Sequence, residues 1–139
     1  MKRAHRLRRP AQFQRVRRTG RVVQHPLMRL TLAPNRRRQT RCGIVAGKQL
    51  GKAVQRNRAR RRVREALRLD LAQVQPGYDL VVVLRSPVLL SIPFAELQAA
   101  LRHVLREAGI WRETPPLHAV QAPSAIGRQA PSERNETPT

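Results

Sequence analysis

Nine Lys/Arg and a single acid, Glu65, fall between Lys48 and Arg68, in the stretch KQLGKAVQRNRARRRVREALR. Seven of the nine are Arg, whose planar fork of donors can hold phosphate oxygens two at a time. After Gly51 the stretch contains no Gly or Pro and reads as helix. Its charges repel one another, so a polyanion would stabilise it. The polyanion that this composition suggests is nucleic acid. A merely solvated face would mix signs and repeat acid–base pairs at four-residue spacing; this one is almost purely cationic.

A helical wheel separates two roles. Ala59, Val63, Ala66 and Leu67 share an arc that would pack on a core, with Arg56 and Arg60 at its margin. Asn57, Arg61, Arg64 and Arg68 gather on a neighbouring, outward arc. Arg58 and Arg62 extend the charge around the far side.

These residues resemble the signature of the bacterial ribonuclease P protein component. That family has a strand ending in Lys, a Gly shortly after it, then a helix with Ala-x-x-Arg-Asn-Arg-x-(Lys/Arg)-Arg-x-x-Arg-(Glu/Gln)-Ala. Here the matching residues are Lys48, Gly51, Ala53, Arg56, Asn57, Arg58, Arg60, Arg61, Arg64, Glu65 and Ala66. The likeness runs from about residue 3 to 112. RLRRPAQFQRVRRTG looks like the family's first helix, RCGIVAG and YDLVVVLR like strands on either side of the signature, and FAELQAALRHVLREAG like the closing helix. Two positions depart from the family: Arg17 and Thr31 stand where aromatics are common.

The resemblance implies a division of labour. An RNA subunit performs Mg²⁺-dependent hydrolysis that removes the 5′ leader of precursor tRNA. The protein binds no cofactor of its own and supplies no catalytic side chain. Lys52, Arg56, Asn57, Arg58, Arg60, Arg61, Arg64 and Arg68 would contact the RNA subunit. Phe13, Val16, Arg17, Gly43, Val45 and Lys48 would line or border a groove for the single-stranded leader. The expected partners are thus the RNA subunit and precursor tRNA, bound by a protein monomer in a one-to-one complex in the cytoplasm.

Composition agrees with an RNA partner. The 139 residues carry a formal charge of +21, and 23 of the 29 Lys/Arg lie in residues 1–68 against one acid. Residues 69–139 hold 6 Lys/Arg against 7 acids, so the cationic surface comes from the first half. Aromatics make up only 3%, which implies a small aliphatic core. The lone Cys42 excludes an internal disulfide and reads as a core residue on a strand. No apolar run is long enough to span a membrane. The Arg-rich N-terminus is like a transit peptide, but the family's own N-terminus begins this way.

Nothing in the pattern resembles an active site. His5, His25, His103 and His118 have no ligand-like spacing, and the acids form no recognisable pair. Two rival readings stand beside the first. A small ribosomal protein would share the composition but not the Arg-Asn-Arg helix after a Lys-ended strand. A DNA-binding protein would need a helix-turn-helix or dimerisation pattern.

The elements that must position these residues follow from periodicity. A basic arm, 1–9, precedes a helix opened by Pro10 and ended at Gly20. Arg21–Gln24, Leu27–Ala33 and Arg41–Gly47 read as strands around a PNRRRQT loop. On the third, Gly43, Val45 and Gly47 share a face with room for close approach. The signature helix runs to about Gln73, and Pro76–Gly77 is a turn. Tyr78–Leu84 is apolar enough for an interior strand, and Phe94, Leu97, Leu101, Val104 and Leu105 mark a last helix. The order α-β-β-β-α-β-α predicts an α/β (α+β) two-layer sandwich of four strands and three helices in one domain, residues 1–112. The family's fold is like the second domain of ribosomal protein S5, with a left-handed crossover that the general rule would not predict. Residues 113–139 hold five of eleven prolines and should form a disordered tail.

Overall fold

The computed structural model describes residues 3–113. The disordered tail expected from the sequence falls almost wholly outside that range.

Helix α1 spans Pro10–Thr19. Proline costs nothing at its first position, where the N–H has no intrahelical partner. Gln12 Oε1 accepts from the Arg8 and Arg9 backbone N–H groups at 2.9 and 3.0 Å. Strands follow at Arg21–Gln24 (β1), Met28–Pro34 (β2) and Arg41–Ala46 (β3). Helix α2 is Ala53–Asp70, β4 is Tyr78–Leu84 and α3 is Phe94–Glu107. Short 3-10 turns at Lys48–Leu50, Leu71–Gln73 and Pro87–Leu90 fill connections that read as loop or helix end.

The strands form one mixed sheet in the order β1-β2-β4-β3. β1 with β2 and β2 with β4 are antiparallel, while β3 and β4 are parallel and joined through α2. β4 therefore has a neighbour on each side and a covered surface above and below, which is why its sequence is continuously apolar. The register places Leu30 and Ile44 opposite Val82, and Thr31 and Gly43 opposite Val81. Period two then sends the two sets to opposite faces.

The first face carries the main core. Met28, Leu30, Leu32, Cys42, Leu80, Val82 and Leu84 meet Ala59, Val63, Ala66 and Leu67 of α2 and Leu97, Leu101, Val104 and Leu105 of α3. Full burial of each large aliphatic contributes about 1.5–3 kcal/mol. The four aromatics that touch the cores, Phe13, Tyr78, Phe94 and Trp111, are only partly buried, so the interior is aliphatic as expected. Buried Asp70 locks α2 to α3 through paired bonds from Arg102, both 2.9 Å.

The second face carries a smaller cluster under α1: Leu7, Val16, Ala33 and Val81, with Phe13, Val45 and Val83 at its border. The N-terminal arm adds a rung to the open edge of β3, where Leu7 N–H donates to Cys42 C=O at 2.8 Å. That contact blunts an otherwise unpaired edge.

Candidate RNA interface

Helix α2 divides as its wheel predicts except at Arg62 and Arg64. Ala59, Val63, Ala66 and Leu67 are buried, and Lys52, Asn57, Arg58, Arg61 and Arg68 are exposed. Arg56, Arg60 and Arg64 are half-buried. Two of the polar residues pair locally. Arg60 donates to the Asn57 side chain, and Arg68 binds Glu65 through Nε and Nη2. Arg62 departs from the wheel reading. Its guanidinium reaches back to the carbonyls of Leu89 and Ile92, both at 2.5 Å, and so anchors the Pro87–Leu90 turn. The long side chain folds back over its own helix margin, which a wheel of Cα positions does not capture.

On the opposite face the leader-groove residues lie around β3. Phe13 is half-buried, and its ring lies on Gly43. The glycine thus makes room for a ring, not for another backbone. Val45 borders the small cluster, while Lys48 is exposed in the turn after β3. Arg17 is exposed on α1. Val16 is fully buried, so it supports the groove from beneath and offers it no surface. Thr31 is also buried, with its Cγ2 against Gly20 where a Cβ would come within 2.8 Å. It lies under the end of α1, away from any open groove.

The two predicted sites meet in one hollow. A cavity of about 80 Å³ is lined by Phe13 and Gly43 together with Arg64, Arg6 and Ile44. Arg64 is held below the ordinary arginine pKa by burial, and then by the charges of Arg6 and Arg60. Three guanidinium groups crowded at one place store repulsion that a bound phosphate would relieve.

Two features escape the sequence reading. Arg29 stands in register with Val83 and Val45, on the α1 side of the sheet, with its Nε buried and unpartnered. Alternation along MRLTLAP puts Arg29, Thr31 and Ala33 on one face, a signal in the sequence that would have marked Arg29 as a charge facing the interior. Asp79, which reads as an isolated acid, is fully buried. It accepts from Arg41 at 2.9 and 2.7 Å, from Arg15 at 2.8 Å and from Asn35 at 2.7 Å. Burial alone would raise its pKa, but the bonds from Arg41, Asn35 and Arg15 outweigh it and hold the carboxyl below its ordinary value.

Among the described residues no three His, Cys, Asp or Glu come together as a metal site. Burial, and then Asp79, push the Cys42 thiol up to about 12, so it is inert at neutral pH. No helix among the described residues is long and apolar enough to cross a membrane.

The family model for ribonuclease P matches residues 1–109. The chain belongs to the ribonuclease P protein family. A ribonuclease P protein component of Chloroflexus aggregans is 53% identical over 126 residues, covering 89% of this chain and 93% of the relative. The RNase P protein of Thermotoga maritima superposes with a TM-score of 0.68 at 28% identity, covering 73% of this chain and 96% of that one. A mutant of the Staphylococcus aureus RNase P protein, described as having defective mRNA degradation activity, gives a TM-score of 0.70 at 28% identity, with 78% and 91% covered. The four-stranded mixed sheet with three helices is the fold of these ribonuclease P proteins. The chain is accordingly a component of an endoribonuclease holoenzyme that contains RNA.

Proposed function

We propose that the exposed arc of α2 holds the catalytic RNA subunit while the groove along β3 holds the 5′ leader of precursor tRNA. Lys52, Arg56, Asn57, Arg58, Arg60, Arg61, Arg64 and Arg68 bind the RNA subunit. Phe13, Arg17, Gly43, Val45 and Lys48 bind the leader, with Val16 beneath them. The observation that carries the reading is the shared hollow, where Phe13 and Gly43 of the groove meet Arg64 of the signature helix. One protein monomer thereby touches both RNAs at once. Its charge of +21 offsets their mutual repulsion, and leader removal then needs less Mg²⁺. The Mg²⁺ and the reacting groups belong to the RNA, and the complex works in the cytoplasm.

A purely structural RNA binder of ribosomal type would share the basic helix but has no use for a groove beside it. The mRNA degradation named for the Staphylococcus aureus relative is not included. Among the described residues every carboxylate except Glu96 is already paired with a basic side chain. The test is precursor tRNA cleavage by the RNA subunit at low Mg²⁺, with and without this protein. Stimulation that fades as Mg²⁺ rises supports the reading, and no stimulation at any Mg²⁺ level rejects it.

A further inference from the structure

Many of the chain's arginines lie neither on α2 nor in the groove, and they surround two hollows at the start of β3. One, of about 270 Å³, is walled by Arg6, Arg8 and Arg9 of the N-terminal arm and by Arg37 and Arg41. The other, of about 480 Å³, is walled by Arg15, Arg36, Arg37 and Arg41. The hollows share Arg37 and Arg41, so they adjoin. Among the described residues no carboxylate lines either one.

The floor is rigidly built. Buried Asp79 fixes Arg41 and Arg15, and through Asn35 it also fixes the loop that carries Arg36 and Arg37. Asn35 donates to Gln39 C=O at 3.2 Å and accepts from Arg37 N–H at 2.8 Å, which closes the loop on itself. One carboxylate against two guanidinium groups leaves a net positive floor, and Arg8, Arg9, Arg36 and Arg37 add exposed charge above it.

The position is informative. Arg6 lines both the first hollow and the hollow beside Phe13 and Gly43. Gly43 and Arg41 lie on the same face of β3, two residues apart, or about 7 Å along the strand. The arginine hollows therefore continue the line of the groove past Phe13. They lie between the N-terminal arm, α1 and the loop that follows β2.

We propose that these hollows bind phosphates of the same single RNA strand that occupies the groove, extending its track beyond Phe13 to the loop between β2 and β3. The ligand is the phosphodiester backbone, held by bidentate arginine without reading the base. The assignment rests on the leader reading given above.

The test uses the assembled holoenzyme and precursor tRNAs whose leaders range from very short to long. The variant is Arg8→Ala/Arg37→Ala. Both side chains are exposed and neither forms an ion pair among the described residues, so a thermal melt should match the parent. With long leaders the variant should bind about tenfold weaker or worse. Its salt slope should fall by roughly 0.7 for each lost phosphate contact. With the shortest leaders, variant and parent should bind alike. Equal loss at every leader length would overturn the proposal, placing these arginines on the RNA subunit or the tRNA body. No loss at any length would overturn it too, while leaving the groove intact if the parent still prefers longer leaders. A parent indifferent to leader length would overturn both readings.

Discussion

The ring of Phe13 lies so close to Gly43 that a Cβ at position 43 would sit 2.3 Å from Cε1 and 2.5 Å from Cζ. No real Cβ contact is that short, so the ring has to move if the glycine gains a methyl group. Gly43→Ala should therefore displace Phe13 from its seat, at an overpacking cost of about 1–3 kcal/mol. Leader affinity should fall with it. Phe13→Ala/Gly43→Ala should be less destabilised than the sum of the single changes, because the clash is gone. Melting of the four proteins measures the coupling. Additive losses would mean that the two residues do not share a contact.

Arg61 and Arg62 are neighbours in opposite surroundings. Arg61 is exposed on α2, while Arg62 bonds the carbonyls of Leu89 and Ile92. Arg61→Ala should weaken RNA-subunit binding by about 1.5–3 kcal/mol for a lost charged contact and leave the melting temperature unchanged. Arg62→Ala should lower the melting temperature and leave the affinity of the folded fraction nearly intact. Filter binding and thermal melts on both variants decide the matter. If Arg62→Ala loses RNA affinity without losing stability, the two roles are assigned the wrong way round.

That contrast marks how far the sequence was legible. Apolar periodicity located the elements that bury a regular stripe: Val63 and Leu67 on α2, Leu97 and Leu101 on α3, Leu80 and Val82 on β4. Helix α1 buries Val16 alone and was marked instead by Pro10 and Gly20 at its ends. Local spacing says which side of an element a residue leaves from. It does not say where a long side chain ends, and so Arg62 read as surface charge. Nor does it reveal partners far apart in sequence. Asp79 meets Arg15 from 64 residues away and Arg41 from 38. Only the closed sheet brings them together. The arm's pairing with Cys42 was hidden for the same reason, since one backbone rung leaves no trace in side-chain pattern. The basic composition of α2 was legible, and the meeting of Arg64 with Phe13 and Gly43 in one hollow was not.

Asp79 should make stability depend on acid. Its folded pKa lies below the ordinary value of 3.8. The unfolded chain therefore takes up the proton first as pH falls. The stabilisation is fully present above about pH 4 and is lost as pH drops through the folded value. Asp79→Asn removes the charge and leaves two arginines facing a neutral amide, which should cost about 3 kcal/mol near neutral pH. The gap between parent and variant should narrow in denaturant melts taken well below pH 4. A gap that stays constant down to pH 2 would show that the charge of Asp79 is not what holds this end of the sheet.

The purified chain, free of RNA, should leave precursor tRNA and unstructured RNA uncut at any Mg²⁺ concentration. Asp70, Asp79, Glu65 and Glu113 are each bonded to an arginine, where a carboxylate is a poor base. Among the described residues the nearest approach to a general acid–base couple is His103 with Glu107, Nε2 to Oε2 at 3.6 Å on the exposed side of α3. Cleavage by RNA-free protein that disappears in His103→Ala or Glu107→Gln would overturn the expectation and put chemistry on that helix.

Leader binding should be driven mainly by charge. Phe13 is the aromatic of the groove, and part of its ring is already spent on Gly43. Stacking is worth about 1–3 kcal/mol per base, so a groove with one half-covered platform gains little from it. Arg17, exposed on α1, would offer a phosphate contact instead of a second platform. Charge-based binding of single strands weakens with salt by a slope of about 0.7 per neutralised phosphate. Leader-dependent affinity of the holoenzyme should accordingly fall steeply with salt and depend weakly on leader sequence. Arg17→Phe exchanges one charge for one platform, so it should flatten the salt dependence and sharpen base preference together. A salt series with leaders of varied sequence, run on parent and variant, measures both. Leader affinity that is indifferent to salt yet strongly base-specific in the parent would mean that groups other than these arginines read the leader.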